Sequence, residues 1–336
     1  MRRLLSLREQ GVPFYGALDL GTNNCRLLIA HATAGGSFQV VDAFSRIVRL
    51  GEGLGRTGVL SEAAQRRTLE ALRVCVNKLR FWRVERARLI ATQACRRAAN
   101  GADFLARARA ELGVELEIID TETEAWLALL GACPLIDEAA RQVLVFDIGG
   151  GSTELMWIEL TEDGGKRVLD WMSLPEGVVT IAERFGGAHV TAENYAAMRA
   201  HVRPALKRFA ANLREKGAPA LPDHLLGTSG TVTTIAGVSL NLARYDRRRV
   251  DGCWLSAAQV EDVSQALRRM TLAERQANGC IGAERADLVV AGCAILQEVM
   301  AIWPAERIRV ADRGLREGIL YQLMEEDGHG GGAQKA

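Results

Sequence analysis

One sequence pattern occurs twice in the chain, as GALDLGTNNCRLLIA from Gly16 to Ala30 and as VLVFDIGGGSTELMW from Val143 to Trp157. When the two copies are aligned, Asp19 matches Asp147, and a glycine follows two residues after each aspartate. Each copy consists of an apolar strand, an aspartate, a tight turn and a second apolar strand. The pattern therefore predicts two β-hairpins whose glycines supply the positive φ angles that tight turns require.

The length of the chain fits a duplicated architecture. It has 336 residues, more than one hydrophobic core usually serves, so two domains are expected. We place the domain boundary at Pro134, just before the second hairpin. The expected division is a first domain over residues 1–133, a second over 134–314, a helix over 315–327 that packs back on the first domain, and a flexible tail over 328–336.

The segments outside the hairpins show mixed helical and extended patterns. Ser61 is expected to cap a helix that ends at Phe81, with apolar residues at helical spacing between them. The stretch Ala286–Ile302 is apolar almost all round, which predicts a buried helix that links the domains. Further helices are predicted from Asp103, at Thr123–Leu130, Ala192–Arg214 and Leu315–Met324 and from Val232, and strands at Arg88–Thr92, Glu117–Ile119 and Leu225–Leu226.

Composition narrows the class of protein. The formal net charge of +1 gives no bulk attraction to nucleic acids or membranes, so neither is expected as a partner. The seven cysteines show no CxxC spacing, which favours a reducing compartment over a disulfide framework or a zinc site. The first residues carry Arg8 and Glu9 where a signal peptide needs an apolar stretch. A cytoplasmic protein is therefore expected.

Three loops of small residues follow apolar strands, at Gly21–Cys25, Gly149–Thr153 and Gly227–Thr231. Such loops let backbone N–H groups approach phosphate oxygens closely. A lone glycine-rich turn is more often only a hairpin turn. A matched pair with a third loop is hard to explain that way, so all three are candidates for phosphate binding. The candidate residues are Gly21, Thr22, Asn23, Asn24, Cys25, Gly149, Gly150, Gly151, Ser152, Thr153, Ser229, Gly230 and Thr231.

Carboxylates accompany two of these loops. Asp147 and Glu154 flank the second hairpin turn, and Asp19 holds the position equivalent to Asp147 in the first. Paired carboxylates beside a phosphate-binding loop suggest a hard cation with oxygen ligands, Mg²⁺ or Mn²⁺. The alternative for each is a solvated turn carboxylate, which is common on protein surfaces.

Two further pairs of charged residues stand at predicted element ends. Glu122 and Glu124 fall in a first helical turn, where the helix dipole favours acidic residues, but a carboxylate near a bound phosphate could also polarise an attacking water. Arg96 and Arg97 follow a predicted strand, and an arginine there offers bidentate hydrogen bonds to a phosphate. In each pair, we expect one residue to be functional and the other to be exposed to solvent.

The chain resembles the exopolyphosphatase/guanosine pentaphosphate phosphohydrolase (Ppx/GppA) family of the sugar kinase–Hsp70–actin superfamily. The resemblance spans about Tyr15 to Met324. It implies an α/β fold of two actin-like, ribonuclease H-like domains with an interdomain cleft. The motifs that carry it are DLGTNNCRL from Asp19, ATQACRRAAN from Ala91, Glu124-Ala125, DIGGGSTE from Asp147, GTSGT from Gly227 and LREG from Leu315.

The resemblance also implies roles for single residues. Glu124 matches the general base for the attacking water and Arg96 the phosphate-contacting arginine, while Asp147 and Glu154 match the metal-associated carboxylates. The three loops match the phosphate-binding loops. The chain departs from the family where a serine-glycine pair and a further glutamate are usual and has Asp120, Thr121 and Thr123 instead. In the first loop, the residues Thr22, Asn24 and Cys25 stand where the family usually has serines. Longer members carry a C-terminal helical domain, so a short form is expected.

The expected activity is that of an exopolyphosphatase, which removes the terminal phosphate of inorganic polyphosphate with Mg²⁺ or Mn²⁺. Three alternatives remain open: hydrolysis of the 5′ phosphoanhydride of guanosine pentaphosphate, an ATP-using kinase or ATPase of the same superfold, and a non-catalytic sensor of polyphosphate or of guanosine penta- or tetraphosphate. A homodimer is a further possible assembly.

Overall fold

The computed structural model of the chain describes residues 12–162 and 165–329. These residues form two compact units. Unit 1 comprises residues 12–131 and 315–329, and unit 2 comprises the described residues from 132 to 314. The chain therefore builds most of unit 1, then all of unit 2, and returns to unit 1 for the last helix that the structure describes.

Unit 1 is a five-stranded sheet with helices. Its elements are β1 (Tyr15–Leu20), β2 (Asn24–Thr33), β3 (Ser37–Ile47), α1 (Leu54–Thr57), α2 (Glu62–Trp82), β4 (Arg86–Ala91), α3 (Gln93–Arg97), α4 (Gly101–Leu112), β5 (Glu117–Ile118), α5 (Thr121–Ala132) and the final helix α13 (Leu315–Glu326). The sheet order is β3-β2-β1-β4-β5. Strands β1, β2 and β3 are antiparallel neighbours, whereas β1, β4 and β5 run parallel.

Strand β1 is buried on both faces of this sheet. Leu18 and Leu20 pack into a cluster shared with α2 and α4, while Tyr15 and Ala17 belong to a cluster shared with α5 and α13. Both faces of the strand are apolar because helices cover both sides of the sheet. Unit 1 is therefore a three-layer α/β/α structure, with β1 at its centre.

Unit 2 repeats this plan with one more strand. Its elements are β6 (Gln142–Ile148), β7 (Thr153–Leu160), β8 (Lys166–Leu174), α6 (Val178–Phe185), α7 (Ala192–Glu215), β9 (His224–Thr228), α8 (Ser229–Ser239), α9 (Arg247–Val250), β10 (Trp254–Ser256), α10 (Ala257–Arg269), α11 (Leu272–Ala277), α12 (Val289–Ile302) and β11 (Arg307–Ala311), preceded by a 3₁₀ turn (Cys133–Leu135). The sheet order is β10-β11-β9-β6-β7-β8.

The two hairpins have the same register, as the sequence repeat predicts. Asp19 faces Arg26 across β1 and β2, and Asp147 faces Glu154 across β6 and β7. In each unit the first strand of the hairpin also has a parallel neighbour on its other side, β4 for β1 and β9 for β6. The predicted duplication of the hairpin is thus confirmed.

The prediction that the turn glycines adopt positive φ is wrong. Neither Gly21 nor any of the three glycines Gly149–Gly151 is among the residues with positive φ. Each turn is instead closed by one hydrogen bond, from the amide of Gly21 to the carbonyl of Asn24 and from the amide of Gly149 to the carbonyl of Ser152, both at 2.9 Å. A side chain at Gly21 would meet only ordinary contacts, with the carbonyl oxygen of Asn24 nearest at 3.6 Å, so the first turn does not require its glycine for backbone conformation or for space.

The predicted loop Gly227–Thr231 is also wrong as a loop. Strand β9 runs to Thr228, and helix α8 begins at Ser229 without an intervening loop. Ser229 makes the turn itself, with φ of 77°. A side chain at Gly227 would lie 2.5 Å from the ring of Phe146, so this glycine is required by packing inside the sheet. Small residues at such a junction look like a loop because the sequence does not show what they pack against.

The long helices follow the sequence with small shifts. Ser61 caps α2 by accepting a 3.2 Å hydrogen bond from the amide of Ala64, which confirms the predicted start. Helix α12 begins at Val289, three residues after the predicted Ala286, because 283–288 form a turn. It is buried as expected but lies wholly within unit 2, so the prediction that it links the domains is wrong.

Two expectations concern the ends of the chain. The expectation that the chain has no signal peptide concerns residues 1–11, which lie outside the described residues. The same holds for residues 330–336 of the expected tail. Gly328 and His329 end α13: the amide of His329 donates to the carbonyl of Met324 at 2.8 Å. Within the part of the chain that the structure describes, no helix is long and apolar enough to cross a membrane.

Candidate active site

Three chemically active segments meet at one edge of the unit 1 sheet. Because β1, β4 and β5 are parallel, their carboxyl ends lie at the same edge, a common position for ligand sites in α/β folds. The first hairpin turn follows β1, α3 follows β4, and α5 follows β5. Backbone hydrogen bonds tie these ends together, from the amide of Thr92 to the carbonyl of Leu20 (3.1 Å) and from the amide of Ile119 to the carbonyl of Ala91 (3.2 Å).

Arg96 on α3 and Glu124 on α5 form an ion pair at this edge. The Nη1 atom of Arg96 lies 3.2 Å from Oε2 of Glu124 and donates a 2.7 Å hydrogen bond to the carbonyl of Ile119. The two side chains are only 22% and 15% exposed. The structure therefore brings together two sequence-predicted residues that are 28 positions apart.

One nitrogen of the Arg96 guanidinium makes no hydrogen bond within the described residues. Its Nη2 atom is buried and has no hydrogen-bond partner among the described residues. A buried charged donor without an acceptor is costly, and the planar guanidinium fork matches the oxygens of a phosphate group. The arrangement is therefore suited to receive an anionic oxygen beside Glu124.

A helix cap fixes the position of Glu124. The carboxylate of Asp120 accepts a 2.7 Å hydrogen bond from the amide of Thr123 and so caps α5. This hydrogen bond lowers the pKa of Asp120. Glu122 in the same turn is exposed, as is Arg97 beside Arg96. Each predicted pair thus has one member in the site and one in solvent.

The first hairpin turn is braced by the segment after β3. The carbonyl of Asn23 accepts hydrogen bonds from the amides of Val48 (2.9 Å) and Arg49 (3.0 Å), and the carbonyl of Thr22 accepts one from Gly51 (2.9 Å). The turn is thereby held rigid before any ligand binds. The Cys25 side chain, in contrast, is fully buried in the core, where its sulfur lies 4.0 Å from that of Cys75.

Asp19 lies on β1 among charged neighbours of unit 1. Burial raises the pKa of its carboxyl, which Arg26 and Arg316 partly oppose and Glu317 reinforces. Glu317 on α13 is only 3% exposed. It was not assigned a role from the sequence, where it appears merely as part of a motif, because its neighbour Asp19 is almost 300 positions away.

In unit 2, the second hairpin presents its carboxylates as a facing pair. Asp147 and Glu154 are directly opposite in the register of β6 and β7. Glu154 is buried, and its Oε1 accepts a 2.8 Å hydrogen bond from the hydroxyl of Ser173. Their facing positions put two carboxylate side chains, the ligands that Mg²⁺ and Mn²⁺ prefer, beside the second hairpin turn.

The turn of this hairpin is enclosed by the segment that begins α6. The amides of Val178 and Val179 donate to the carbonyls of Gly149 (3.0 Å) and Gly150 (2.8 Å). A side chain at Gly177 would lie 2.5 Å from the carbonyl oxygen of Gly149, so only glycine allows this approach. Sequence reasoning missed this segment, since nothing local in Glu176-Gly177 indicates a long-range contact with the turn.

The third candidate segment opens helix α8 of unit 2. The hydroxyl of Ser229 donates a 2.6 Å hydrogen bond to the carbonyl of Ile148, which ties α8 to the end of β6. Thr231 is buried against Gly292 of α12. Arg285, which the sequence did not single out, lies over this helix start, with Nη1 3.7 Å from where a side chain on Gly230 would begin.

The metal-ligand candidates are oxygen donors in both units. Asp147 and Glu154 form the facing pair of unit 2, and Asp19 lies in unit 1. Across residues 12–162 and 165–329, no three acidic, histidine or cysteine side chains come together as a metal site. Mg²⁺ commonly takes one or two carboxylates and completes its shell with water and substrate phosphates. The facing carboxylates therefore fit such an ion.

Comparisons with known proteins agree with this organisation. A family model described as the Ppx/GppA phosphatase family matches residues 28–327. A curated relative from Haemophilus influenzae, named provisionally as an exopolyphosphatase, is 30% identical over 309 residues, which cover 91% of this chain and 90% of the relative.

Solved structures show the same fold. The Aquifex aeolicus member of the Ppx/GppA family is 28% identical with a TM-score of 0.76, covering 94% of this chain and 98% of its own. An exopolyphosphatase from Cytophaga hutchinsonii superposes with a TM-score of 0.84 at 24% identity, covering 93% and 98% of the two chains. The expected fold class of two actin-like domains is confirmed.

Proposed function

Because this chain belongs to the Ppx/GppA phosphatase family, we propose that it is an exopolyphosphatase, which hydrolyses the terminal phosphoanhydride of inorganic polyphosphate and releases orthophosphate. The observation that carries the proposal is the Arg96–Glu124 pair, in which a carboxylate stands beside an arginine that still has a buried donor to offer. The name of the Haemophilus influenzae relative supports the choice of substrate.

In the proposed reaction, the Nη2 atom of Arg96 donates to an oxygen of the terminal phosphoryl group and neutralises part of its charge. Backbone N–H groups inside the first hairpin turn, those of Thr22 and Asn23, bind further oxygens. Glu124 orients a water molecule and removes its proton as the water oxygen bonds to phosphorus. The bond from phosphorus to the bridging oxygen breaks, and the shortened chain keeps that oxygen with its electron pair. Positioning and charge stabilisation thus supply most of the rate enhancement.

Unit 2 is proposed to contribute phosphate contacts and the metal. Its contacts come from the hairpin turn Gly149–Thr153 and the helix start Ser229–Thr231. Asp147 and Glu154 would hold Mg²⁺ or Mn²⁺, and the ion would supply charge neutralisation at phosphoryl oxygens. Asp19 of unit 1 is a separate candidate metal ligand. The facing positions of the two residues support this assignment because carboxylate oxygens are the ligands that such an ion takes.

Guanosine pentaphosphate is the second candidate substrate. Its 5′ end carries the same phosphoanhydride as polyphosphate, and the family to which the chain belongs is described by both activities in its name. The Arg96–Glu124 pair acts only on the terminal phosphoryl group, so it serves both substrates equally. Discrimination has to come from contacts with the rest of the substrate.

The test is orthophosphate release by the purified protein with Mg²⁺, measured in parallel on short polyphosphate, long polyphosphate, guanosine pentaphosphate and ATP. We expect kcat/KM to be highest on polyphosphate. Faster release from guanosine pentaphosphate would move the assignment to the second candidate, and preference for ATP would indicate an ATPase. Calorimetric binding of polyphosphate without release from any substrate would identify a sensor.

A further inference from the structure

Several polar atoms at the edge of the unit 1 sheet are buried without a partner. Besides Nη2 of Arg96, they are Oδ1 of Asn23, Oδ1 of Asn24 and Oε1 of Gln93, for none of which the described residues offer a hydrogen bond. Buried polar atoms in native proteins are almost always paired. These unpaired atoms lie at the same edge of the sheet as the Arg96–Glu124 pair. They indicate a ligand that supplies the missing hydrogen bonds.

Gln93 stands closest in sequence to the Arg96–Glu124 pair. It is the first residue of α3, lies two residues after the end of β4, and is only 5% exposed. Residues three apart on a helix are neighbours on one face, so Gln93 and Arg96 share a face of α3. A sequence gives no reason to select this glutamine, since its significance depends on the absence of a partner in the fold.

The unpaired atoms include a hydrogen-bond donor and hydrogen-bond acceptors, which require different ligands. Nη2 of Arg96 is a donor and suits a phosphate oxygen. Oε1 of Gln93 is an acceptor, and phosphate oxygens at neutral pH are also acceptors, so Gln93 requires a ligand that carries a proton to donate. The attacking water of the proposed reaction is such a ligand. It has two O–H groups, of which Glu124 takes one.

We propose that Gln93 is a further catalytic residue, whose Oε1 accepts a hydrogen bond from the attacking water while Glu124 removes the other proton. The assignment rests on the proposed hydrolase function. A water held by Glu124 alone can rotate about a single hydrogen bond. A second acceptor fixes the direction of the water lone pair toward phosphorus, as in-line attack requires.

The decisive variant is Gln93→Met, which keeps the length of the side chain and removes its polar atoms. We expect kcat on polyphosphate to fall about 10- to 100-fold, since misorientation of a reacting group has effects of that order. KM should change little because the phosphate contacts of Arg96 remain. Thermal stability should be unchanged or higher, since the variant removes a buried acceptor that has no partner in the protein.

Gln65 provides the matched control. It is a second buried glutamine of unit 1, but its side-chain amide donates a 3.0 Å hydrogen bond to the carbonyl of Leu60. Gln65→Met should therefore lower the melting temperature and leave kcat near the wild-type value. Comparison of Gln93→Met with Gln65→Met therefore distinguishes the loss of a structural hydrogen bond from the loss of a contact with the reacting water.

A third variant, Gln93→Asn, keeps the neutral amide and shortens its reach by one methylene. Its kcat should lie between those of wild type and Gln93→Met, and a kcat below that of Gln93→Met would overturn the proposal. The proposal is also overturned if Gln93→Met keeps wild-type kcat, or if it loses stability as Gln65→Met does with no change in kcat. Those results require an active wild type. A wild type that releases no phosphate from any of the four substrates would defeat the proposed function itself, and this assignment with it.

Discussion

At the scale of single residues, the candidate site depends on which member of each charged pair is turned inward. Arg96 and Glu124 are largely buried and form an ion pair, while their neighbours Arg97 and Glu122 are exposed. The sequence offers both pairs and predicts that one member of each is solvated. Which member lies in the site depends on the fold. The parallel strands β4 and β5 end at the same edge of the sheet, so α3 and α5 both begin there.

Replacement of Arg96 by lysine tests the use of the guanidinium fork. Arg96→Lys keeps the charge, but one ammonium group cannot bond to the Ile119 carbonyl, pair with Glu124 and reach a phosphate together. We expect kcat/KM on polyphosphate to fall by about 100-fold or more, in the range seen when a charge-stabilising donor is lost. Arg97→Lys is the matched control. Activity of Arg96→Lys close to wild type would contradict the role of the fork.

Other residues of the site could not be found from the sequence. Glu317 lies beside Asp19, and Arg285 lies over the start of α8, through contacts that bridge distant parts of the chain. Gln93 is notable only because its oxygen has no partner in the fold. Such features are properties of packing, and a local pattern of residue types does not encode them.

At the scale of elements, the sequence predicts what local chemistry determines. Alternating apolar strands around a turn give the hairpins, and the serine cap gives the start of α2. The errors arise where packing sets the boundary. Gly177 is a glycine because of a backbone contact with the second hairpin turn, and the small residues from Gly227 join a strand directly to a helix.

A buried ion cluster contributes to the pairing of the two longest helices of unit 2. Glu298 on α12 is 1% exposed and accepts hydrogen bonds from Arg203 (2.6 Å) and Arg199 (2.9 Å) on α7. Burial alone would raise the pKa of Glu298, but the hydrogen bonds from both arginines outweigh it and the pKa is lowered. Because the folded-state pKa lies below the unfolded one, the stabilisation is present above about pH 4.3, the ordinary pKa of glutamate, and is lost as pH falls through the folded pKa.

Replacement of Glu298 measures this cluster. Glu298→Gln should lower the free energy of unfolding at pH 7 by about 2 kcal/mol, less than the roughly 3–5 kcal/mol of a broken, fully buried pair, because the arginines are partly exposed. The difference from wild type in urea denaturation should shrink as pH is lowered. Glu159→Gln, which breaks an ion pair with the more exposed Arg167, is the control and should have little effect. A difference for Glu298→Gln that does not depend on pH would contradict the ionic origin.

At the scale of the whole molecule, unit 1 is assembled from two distant parts of the chain. Helix α13 returns after unit 2 and fills the cluster under β1 with Ile319, Leu320 and Met324. At Gly318 its backbone approaches the carbonyl of Leu127 on α5 so closely that any side chain would collide with it. The helix that carries Glu124 is thus held in place by the last helix of the chain.

A bulky residue at Gly318 should therefore damage unit 1 selectively. Gly318→Val forces α13 away from α5, and we expect a loss of about 1–3 kcal/mol of stability, typical of an overpacked core, together with reduced phosphate release. Hydrogen exchange should quicken in β1 and α5, while α12 of unit 2 serves as the internal reference. Equal loss of protection in α12 would show that the damage is not confined to unit 1.

The measurement that tests the central claim most directly compares Glu124→Gln with Glu122→Gln. Both remove one charge from the first turn of α5, but only Glu124 pairs with Arg96. With polyphosphate and Mg²⁺, kcat of Glu124→Gln should fall by about 1,000-fold, within the range for loss of a general base, while Glu122→Gln stays near wild type. Undiminished turnover by a folded Glu124→Gln variant would contradict the assignment of Glu124 as the base.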